Sequence, residues 1–331
     1  MIAPLALTLG DPAGVGPEIT AKAWAALKDC GPVFVAIGDR DLLAGQGVPT
    51  QAVASLAEGF AVFAEALPVL HRPVSAPVLP GRPSPAHAPA IIGWIETAVA
   101  LALEGEASGI VTAPIAKAPL YEAGFKFPGH TEFLADLTAA EPMAGARGPV
   151  MMLASGDLRT VLVTIHEPYA KAPALLTVDR IVRTAQVTAE ALRRDFGVER
   201  PRLAVAGLNP HAGESGQIGR EEVEVIGPAV QALRERGIDA VGPKSADTMF
   251  HPEARLTYDA AVCMYHDQAL IPVKMLDFWG GVNVTLGLPI VRVSPDHGTG
   301  YDVAGQGVAR PNSLIAAVRT AAAIAERRTR A

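Results

Sequence analysis

Short apolar runs alternate with amphipathic helical patterns along the whole chain, and this alternation constrains the fold more than any other feature of the sequence. The apolar runs predict buried strands because they are short and flanked by polar or turn residues. These runs are residues 2–9, 33–37, 108–112, 159–165, 202–208 and 260–265. Strands separated by helices are typical of βαβ units, so the sequence predicts an α/β fold with a largely parallel sheet.

Two helices are predicted with particular clarity. In residues 178–195 apolar side chains recur at steps of three and four, and Gly197 follows as a stop signal. A second stripe, in residues 220–236, comprises Val223, Ile226, Val230 and Leu233. Acidic residues stand at the start of that helix, where the macrodipole favours negative charge, and Gly237 ends it. These acids are Glu221, Glu222 and Glu224.

Size and charge narrow the class of protein. A chain of 331 residues that is 50% hydrophobic and 19% charged can bury two cores of ordinary size. A net charge of −6 argues against a nucleic-acid-binding surface, although it leaves room for a local cationic pocket. No run approaches the ~18 apolar residues of a membrane span, and the N-terminus predicts a buried strand rather than a signal peptide. We therefore expect a cytoplasmic protein that binds neither nucleic acid nor membrane.

Two further features bear on the organisation of the chain. Cys30 and Cys263 stand in apolar settings, so we expect both to be buried and reduced, with a disulfide as the alternative. Residues 68–89, the proline-rich strap, carry seven prolines and are expected to lack regular structure, either as an extended surface segment or as a disordered linker. His71 and His87 within the strap are expected at the surface, and His251 is expected to be structural.

Three histidines share one context, which makes them candidate metal ligands. His166, His211 and His266 each follow a predicted strand, and the carboxyl edge of an open α/β sheet is where ligands bind. An acid follows each of them closely and could orient an imidazole: Glu167, Glu214 and Asp267. Three neutral imidazoles with an open position are typical of catalytic zinc, and other divalent ions accept the same donors. The alternative for each is a loop histidine with a satisfied hydrogen bond.

Cationic and polar residues form a second candidate set. Lys274 and Arg292 interrupt apolar stretches, where a cation faces a carboxylate or phosphate, snorkels to water, or forms an internal salt bridge. Asn283 could bind a ligand or bond to the backbone at a bend. His130 or Thr131, in FPGHTEFLAD, could cap a helix whose free N–H groups bind an anion, or cap it without any ligand.

The usual nucleotide fingerprint is missing. LGDPAGVGPEI (9–19) contains Gly10, Gly14 and Gly16 but does not fit G-x-G-x-x-G. It predicts a strand-to-helix turn with Pro17 in the first helical turn, so an ordinary Rossmann site is disfavoured.

Several blocks in order resemble the 4-hydroxythreonine-4-phosphate dehydrogenase family of pyridoxal phosphate biosynthesis, from about residue 7 to about residue 325. The blocks are LGDPAGVGPEI, PGHTEFLA, the NPHAGE–GREE pair, MYHDQALIPVK and GVNVTLGLPIVRVSPDHGT. The resemblance implies a divalent metal, with zinc expected first and magnesium or cobalt as alternatives, at His166, His211 and His266. It implies substrate contacts from His130, Thr131, Lys274, Asn283 and Arg292. It also implies a homodimer whose active site is shared across the interface.

The segment DHGTGYDVAGQGVARP (296–311), here called the cofactor loop, resembles the adenosine-binding loop of isocitrate and isopropylmalate dehydrogenases. That superfamily binds its nicotinamide cofactor without a Rossmann fingerprint. The resemblance implies two α/β/α domains with the active-site cleft between them, residues 1–128 plus 297–331 and residues 129–296. Asp302 is expected to meet the ribose hydroxyls and to favour NAD over NADP, with a turn-stabilising aspartate as the alternative.

The implied reaction is oxidation of 4-phosphohydroxy-L-threonine at C3 to a β-keto acid that loses carbon dioxide, giving 3-amino-2-oxopropyl phosphate. Asp247 or Asp267, or water, would take up the proton, and Asp247 could instead cap the helix that follows it. Related enzymes act on erythronate or threonate 4-phosphate or on a cyclic diol acid, which is the alternative function. An inactive metal-binding paralogue is the alternative from another class.

Overall fold

A computed structural model of the chain, which describes residues 2–330, has the α/β architecture that the alternating pattern predicts. The chain divides into two compact units: the residues up to Pro142 together with Pro289–Arg330, and Met143–Leu288. The contact-based division thus falls at 142/143 and 288/289, whereas the sequence-based boundaries are 128/129 and 296/297. The domain assignment itself remains a prediction.

The first unit contains a fully parallel six-stranded sheet in the order β3-β4-β2-β1-β5-β12. Its strands are β1 (Leu5–Thr8), β2 (Phe34–Gly38), β3 (Thr50–Ala52), β4 (Leu67–His71), β5 (Ile110–Thr112) and β12 (Arg292–Pro295). Its helices are α1 (Gly16–Leu27), α2 (Arg40–Ala44), α3 (Gly59–Val62), α4 (Ala88–Leu103), α5 (Lys117–Glu122), α6 (His130–Leu137) and α12 (Asn312–Arg330). Pro17 stands in the first turn of α1, as predicted.

The second unit contains a mixed sheet in the order β11-β6-β7-β10-β8-β9, in which β7, β10, β8 and β9 run parallel and β6 is antiparallel to its two neighbours. Its strands are β6 (Val150–Ser155), β7 (Leu158–Leu162), β8 (Arg202–Ala206), β9 (Asp239–Lys244), β10 (Ala260–Cys263) and β11 (Val282–Leu286). Its helices are α7 (Ala172–Leu175), α8 (Val178–Phe196), α9 (Gly227–Glu235), α10 (Pro252–Arg255) and α11 (His266–Leu276). Packing of α11 on the sheet buries an apolar cluster that includes Cys263 and Val273.

Helix α8 ends as its sequence predicts, because Gly197 adopts the left-handed conformation (φ 70°) at the C-cap. The stripe predicted for residues 220–236 is wrong at its first member. Ile226, Val230 and Leu233 are buried, but Val223 is 49% exposed and Glu222 is only 3% exposed. The reason is a π-helical turn, Glu222–Ile226, ahead of α9. Its wider turn rotates the preceding residues relative to the α-helical stripe, so Glu222 takes the inward position.

The proline-rich strap is partly regular, which corrects the prediction. Its first residues belong to β4, Pro85–His87 form a 3₁₀ turn and Pro89 lies in the first turn of α4, where a missing N–H is tolerated. His87 is 1% exposed, not at the surface, and its Nε2 lies 3.1 Å from the Pro77 carbonyl oxygen. The folded strap therefore covers this imidazole.

Cys30 is exposed, contrary to prediction, because it falls in the turn between α1 and β2 rather than on the apolar face of either. Cys263 is buried as predicted, and both thiols are free. Residues 85–103, which include α4, are long and apolar enough to span a membrane by length and composition alone. One face of α4, with Ile91, Trp94 and Ile95, is buried in the core of the first unit.

Candidate active site

The three candidate metal ligands follow three adjacent strands of the second unit. β10 lies between β7 and β8 and is parallel to both, so the carboxyl ends of the three strands share one edge of the sheet. His166 follows β7, His266 begins α11 just after β10, and His211 lies in the segment Pro210–Gly216 after β8. His166 and His211 are exposed and His266 is half-buried. The sheet thus delivers all three imidazoles to one edge.

Two of these imidazoles already lie together. The ring centroids of His166 and His266 are 5.7 Å apart. The Nδ1 atom of His266 lies 2.8 Å from Asp267 Oδ1, an arrangement that fixes the ring and leaves Nε2 as the atom able to bind a ligand. The other carboxylate oxygen of Asp267 accepts a hydrogen bond from the Tyr169 hydroxyl. These two hydrogen bonds, that of Tyr169 first, lower the pKa of Asp267, so its carboxylate is ionised and serves two donors.

His211 stands apart from that pair. Within residues 2–330, no three His, Cys, Asp or Glu side chains lie close enough together to hold an ion as a ready-made cluster. The pKa of Asp247 is lowered first by the hydrogen bond from the Ser245 hydroxyl and, more weakly, by the charge of a protonated His211. By donor type, three imidazoles, one of them oriented by a carboxylate, suit a divalent ion of the zinc kind.

The backbone around His211 is unusual. His211, Ala212, Gly213, Glu214 and Ser215 all have positive φ, between 44° and 78°, so the chain makes a complete turn of left-handed helix. We call residues 207–216 the histidine turn. Left-handed backbone costs free energy at every residue with a Cβ atom, and such strain persists only where the surroundings enforce it. The position of the His211 imidazole therefore depends on a strained stretch of backbone.

Asp247 lies inside a 3₁₀ turn, Ala246–Thr248, whose N-cap residue is Ser245. The alternative that Asp247 caps the helix that follows it is wrong, because Asp247 is the second residue of this turn and the next helix, α10, has His251 as its N-cap. The Asp247 carboxylate is exposed, whereas that of Asp267 is occupied by His266 and Tyr169.

Arg292 is a buried cation in the first unit. It begins β12, is 3% exposed, and donates to the Thr112 hydroxyl at the end of β5 through Nε (3.2 Å) and Nη2 (2.8 Å). Burial lowers the pKa of the guanidinium to about 10, while the charge of Glu132 acts in the opposite direction. The side chain is thus a positive charge withdrawn from water, the environment in which an arginine binds an anion strongly.

His130 faces the same guanidinium, with Nδ1 3.5 Å from Arg292 Nη2. Burial and, after it, the Arg292 charge hold the pKa of His130 well below its usual value, so the ring is neutral at pH 7. Its Nε2 is shielded from solvent without a hydrogen-bond partner. His130 and Thr131 are the first two residues of α6, whose N-cap is Gly129 without a side-chain cap, so neither is the cap that the sequence suggested.

Lys274 and Asn283 lie in the second unit. Lys274, half-buried on α11, places Nζ 5.2 Å from the centroid of the Phe278 ring. Asn283, on β11 opposite Leu153 of β6, has a buried Oδ1 atom without a hydrogen-bond partner. A buried amide oxygen of this kind is suited to accept a hydrogen bond from a ligand.

The cofactor loop is anchored to α1 and to the turn that precedes it. The amide of Ala309 donates to Glu18 Oε1 (2.8 Å), and Lys22 Nζ donates to that same oxygen and to the carbonyls of Gly307 and Ala309. The Tyr301 hydroxyl donates to Asp11 Oδ2 (2.7 Å). Asp302 itself is exposed, on the surface of the loop.

Four residues near these side chains escaped the sequence analysis: Thr112, Glu132, Tyr169 and Glu222. Thr112 is a polar residue at the end of a predicted strand. Because ligands bind at the carboxyl edge of an open α/β sheet, its position could have indicated a site residue. Glu132 was inside the quoted block PGHTEFLA, yet its nearness to Arg292 depends on the packing of α6. Glu222 was inside the quoted pair NPHAGE–GREE but was interpreted only as an acid at a helix start, and Tyr169 gave no signal. Each meets its partner only through tertiary structure.

Comparisons with known proteins agree with this architecture. The family model described as pyridoxal phosphate biosynthetic protein PdxA matches residues 29–321. A 4-hydroxythreonine-4-phosphate dehydrogenase from Caulobacter vibrioides is 68% identical, and the alignment covers 98% of each chain. A second, from Maricaulis maris, is 53% identical with the same coverage.

Solved structures give the same result. A crystal structure of 4-hydroxythreonine-4-phosphate dehydrogenase from Klebsiella pneumoniae superposes with a TM-score of 0.86 at 38% identity and covers 98% of both chains. A terephthalate 1,2-cis-dihydrodiol dehydrogenase from Burkholderia xenovorans is more distant, with a TM-score of 0.62 and 29% identity over 98% of both chains. The chain is an oxidoreductase, and it belongs to the PdxA family of pyridoxal phosphate biosynthesis, as its sequence blocks indicated.

Proposed function

We propose that the chain oxidises 4-phosphohydroxy-L-threonine at C3 with NAD and a divalent metal ion. The observation that carries the proposal is the delivery of His166, His211 and His266 to one sheet edge by three adjacent parallel strands. The relatives at 68% and 53% identity are named for this substrate and support the same activity.

His166, His211 and His266 would hold the metal ion, with Nε2 of His266 as the donor because Nδ1 is engaged by Asp267. Zinc suits this donor set best, and magnesium and cobalt are the alternatives. A bound divalent ion supplies Lewis acidity, lowering the pKa of a hydroxyl and stabilising negative charge on oxygen.

Arg292, His130 and Thr131 would bind the phosphate. The buried guanidinium is a planar cation held by Thr112, and the neutral His130 ring has Nε2 available as a further hydrogen-bonding atom. Lys274 and Asn283 are proposed as further substrate contacts, through an ammonium group and a buried amide oxygen respectively.

The balance of the reaction requires one proton acceptor. C3 transfers a hydride to NAD and its hydroxyl loses a proton, giving the β-keto acid. This acid loses carbon dioxide, and the carbon that held it takes up a proton, so 3-amino-2-oxopropyl phosphate, carbon dioxide and NADH result. Asp247 and Asp267 are the two candidate acceptors. The Asp267 carboxylate accepts from Tyr169 and contacts His266, whereas Asp247 is exposed and accepts from the Ser245 hydroxyl.

Asp302 is proposed to accept hydrogen bonds from the ribose hydroxyls of NAD and to disfavour the 2′-phosphate of NADP by charge repulsion. A homodimer with a shared active site is proposed as well. Its interface would include an exposed apolar surface at the end of α11, comprising Ile271, Met275, Phe278 and Trp279. A location in the cytoplasm, with neither nucleic acid nor membrane as a partner, is proposed as well.

The test is NADH formation from 4-phosphohydroxy-L-threonine, erythronate 4-phosphate and a cis-dihydrodiol acid, assayed side by side with added zinc, magnesium or cobalt. We expect turnover of the first substrate, and its loss in His211→Ala. Arg292→Lys keeps the charge but not the planar fork, so it should raise KM for phosphorylated substrate by about tenfold. The 29% identical relative is named for a cis-dihydrodiol. Faster turnover of the cis-dihydrodiol acid than of 4-phosphohydroxy-L-threonine would contradict the proposed substrate.

A further inference from the structure

Glu222 is a buried carboxylate that the proposed chemistry does not use. It is 3% exposed and opens the π-helical turn that precedes α9. A regular α-helix would have kept Val223 inward; the wider turn exposes Val223 and turns Glu222 into the protein. A glutamate at the start of a helix is expected to face solvent, yet Glu222 is buried. The groups that surround its carboxylate account for this position.

Those surroundings are the first residues of the histidine turn. Oε1 of Glu222 accepts hydrogen bonds from the backbone amides of Leu208 and Asn209, both at 2.7 Å. Oε2 accepts from the Asn209 side-chain amide at 2.9 Å, and the same nitrogen donates to Glu221. One carboxylate thus satisfies three N–H donors immediately before the left-handed residues.

The carboxylate also packs against the turn. A Cβ atom placed on Gly213 would lie 2.6 Å from Glu222 Oε2, and one placed on Gly207 would lie 3.1 Å from Oε1. The carboxylate therefore contacts both the entry to the turn and its midpoint. This leaves no room for the turn to shift toward α9 while Glu222 stays in place.

We propose that Glu222 is the positioning residue for His211: its carboxylate holds the left-handed histidine turn and so fixes where that imidazole projects. The inference rests on the proposed role of His211 as a metal ligand. Backbone with positive φ at four residues that carry a Cβ atom needs an external constraint, and the three hydrogen bonds to Glu222 supply one at the start of the strained run. Groups that orient a metal ligand typically contribute 10–100-fold to metal affinity.

The experiment measures Zn²⁺ and Co²⁺ affinity by titration calorimetry in the wild-type protein, His211→Ala, Glu222→Gln and Glu224→Gln. Glu222→Gln keeps the shape but replaces one accepting oxygen by a donating NH₂ group. Glu224→Gln is the matched control, because Glu224 lies in the same π turn, is exposed and forms an ion pair with Arg220, outside the histidine turn. We expect affinity to fall roughly 10–100-fold in Glu222→Gln and less than about twofold in Glu224→Gln.

The outcomes separate the two claims. Equal affinity in the wild type and His211→Ala would overturn the metal role of His211. Affinity that depends on His211 but is unchanged in Glu222→Gln would overturn the positioning role alone.

A second pair of variants guards against a folding defect in Glu222→Gln. Gly213→Ala and Gly216→Ala both place a methyl group on left-handed backbone, but only at Gly213 does it collide with Glu222. The inference requires the larger loss of metal affinity in Gly213→Ala. Equal losses in the two variants would contradict it.

Discussion

The histidine turn and the cofactor loop are both held by a buried carboxylate, but they differ in the residues that adopt left-handed backbone. Each is fastened by one buried carboxylate on a neighbouring helical segment, Glu222 in the first case and Glu18 in the second. In the histidine turn, left-handed backbone is imposed on residues with side chains, among them His211 and Ala212. In the cofactor loop the left-handed positions are held by glycines: Gly300, Gly305 and Gly307. The two segments differ because the strained run of the histidine turn includes a residue, His211, whose side chain the proposed function requires, whereas the cofactor loop places glycine at each left-handed position.

The largest effect expected from this comparison is on stability. Glu222→Ala leaves two half-buried backbone amides without their acceptor and removes one acceptor of the Asn209 side chain, so it should lower the free energy of unfolding by about 2–5 kcal/mol. Glu18→Ala removes the acceptor of one backbone amide, that of Ala309, in a loop whose left-handed glycines carry no strain. It should lower the free energy of unfolding by about 1–3 kcal/mol.

Urea unfolding of both variants and of the control Glu224→Gln measures these differences. Equal losses in the two alanine variants would mean that the strain of the histidine turn does not depend on its carboxylate.

A smaller effect is expected on cofactor binding. In Glu18→Gln the acceptor shared by the amide of Ala309 and the ammonium of Lys22 loses its negative charge, so both hydrogen bonds weaken and the cofactor loop should loosen. We expect KM for NAD to rise by about tenfold, equivalent to ~1.4 kcal/mol, with Zn²⁺ affinity unchanged. Steady-state kinetics and calorimetry provide the two readouts. A fall in metal affinity with KM unchanged would reverse the assignment of the two carboxylates.

The smallest effect concerns the strain itself. Ala212 has φ 51°, so Ala212→Gly should relieve left-handed strain and stabilise the fold by about 0.5–1 kcal/mol. The matched change Ala304→Gly, in the cofactor loop, removes a buried methyl group from backbone with ordinary negative φ. It should destabilise the fold by about 1 kcal/mol. Thermal and urea unfolding give the sign of each effect, and opposite signs are the result that the comparison demands.

Periodicity predicted the fold well where local pattern and burial coincide. The stripe of 178–195, its glycine stop and the positions of β7, β8 and β10 follow from residue spacing alone, and these strands place the three histidines. The prediction was wrong at Val223, because one π turn shifts a stripe in a way that no apolar count reveals. It was also wrong at His87, which the folded strap buries.

The candidate site was less accessible to sequence reasoning. Arg292 within an apolar stretch signalled a buried charge, but its hydrogen bonds to Thr112 join residues 180 positions apart. No signal in the sequence predicted the left-handed conformation within the histidine turn. Four of the five residues 211–215, all except Gly213, are of types that rarely adopt it. Tertiary contacts impose it, and a sequence pattern records only local preferences.

The division of the chain has a consequence for biosynthesis on the ribosome. The second unit is one uninterrupted stretch, Met143–Leu288, whereas the first is completed only by Pro289–Arg330. β5 therefore cannot pair with β12, its parallel partner, until the whole intervening unit has been translated. Until then the sheet of the first unit exposes an unpaired apolar edge, which is the kind of surface that misassembles or recruits chaperones. The order of emergence thus favours completion of the histidine-bearing unit before the unit that carries the cofactor loop.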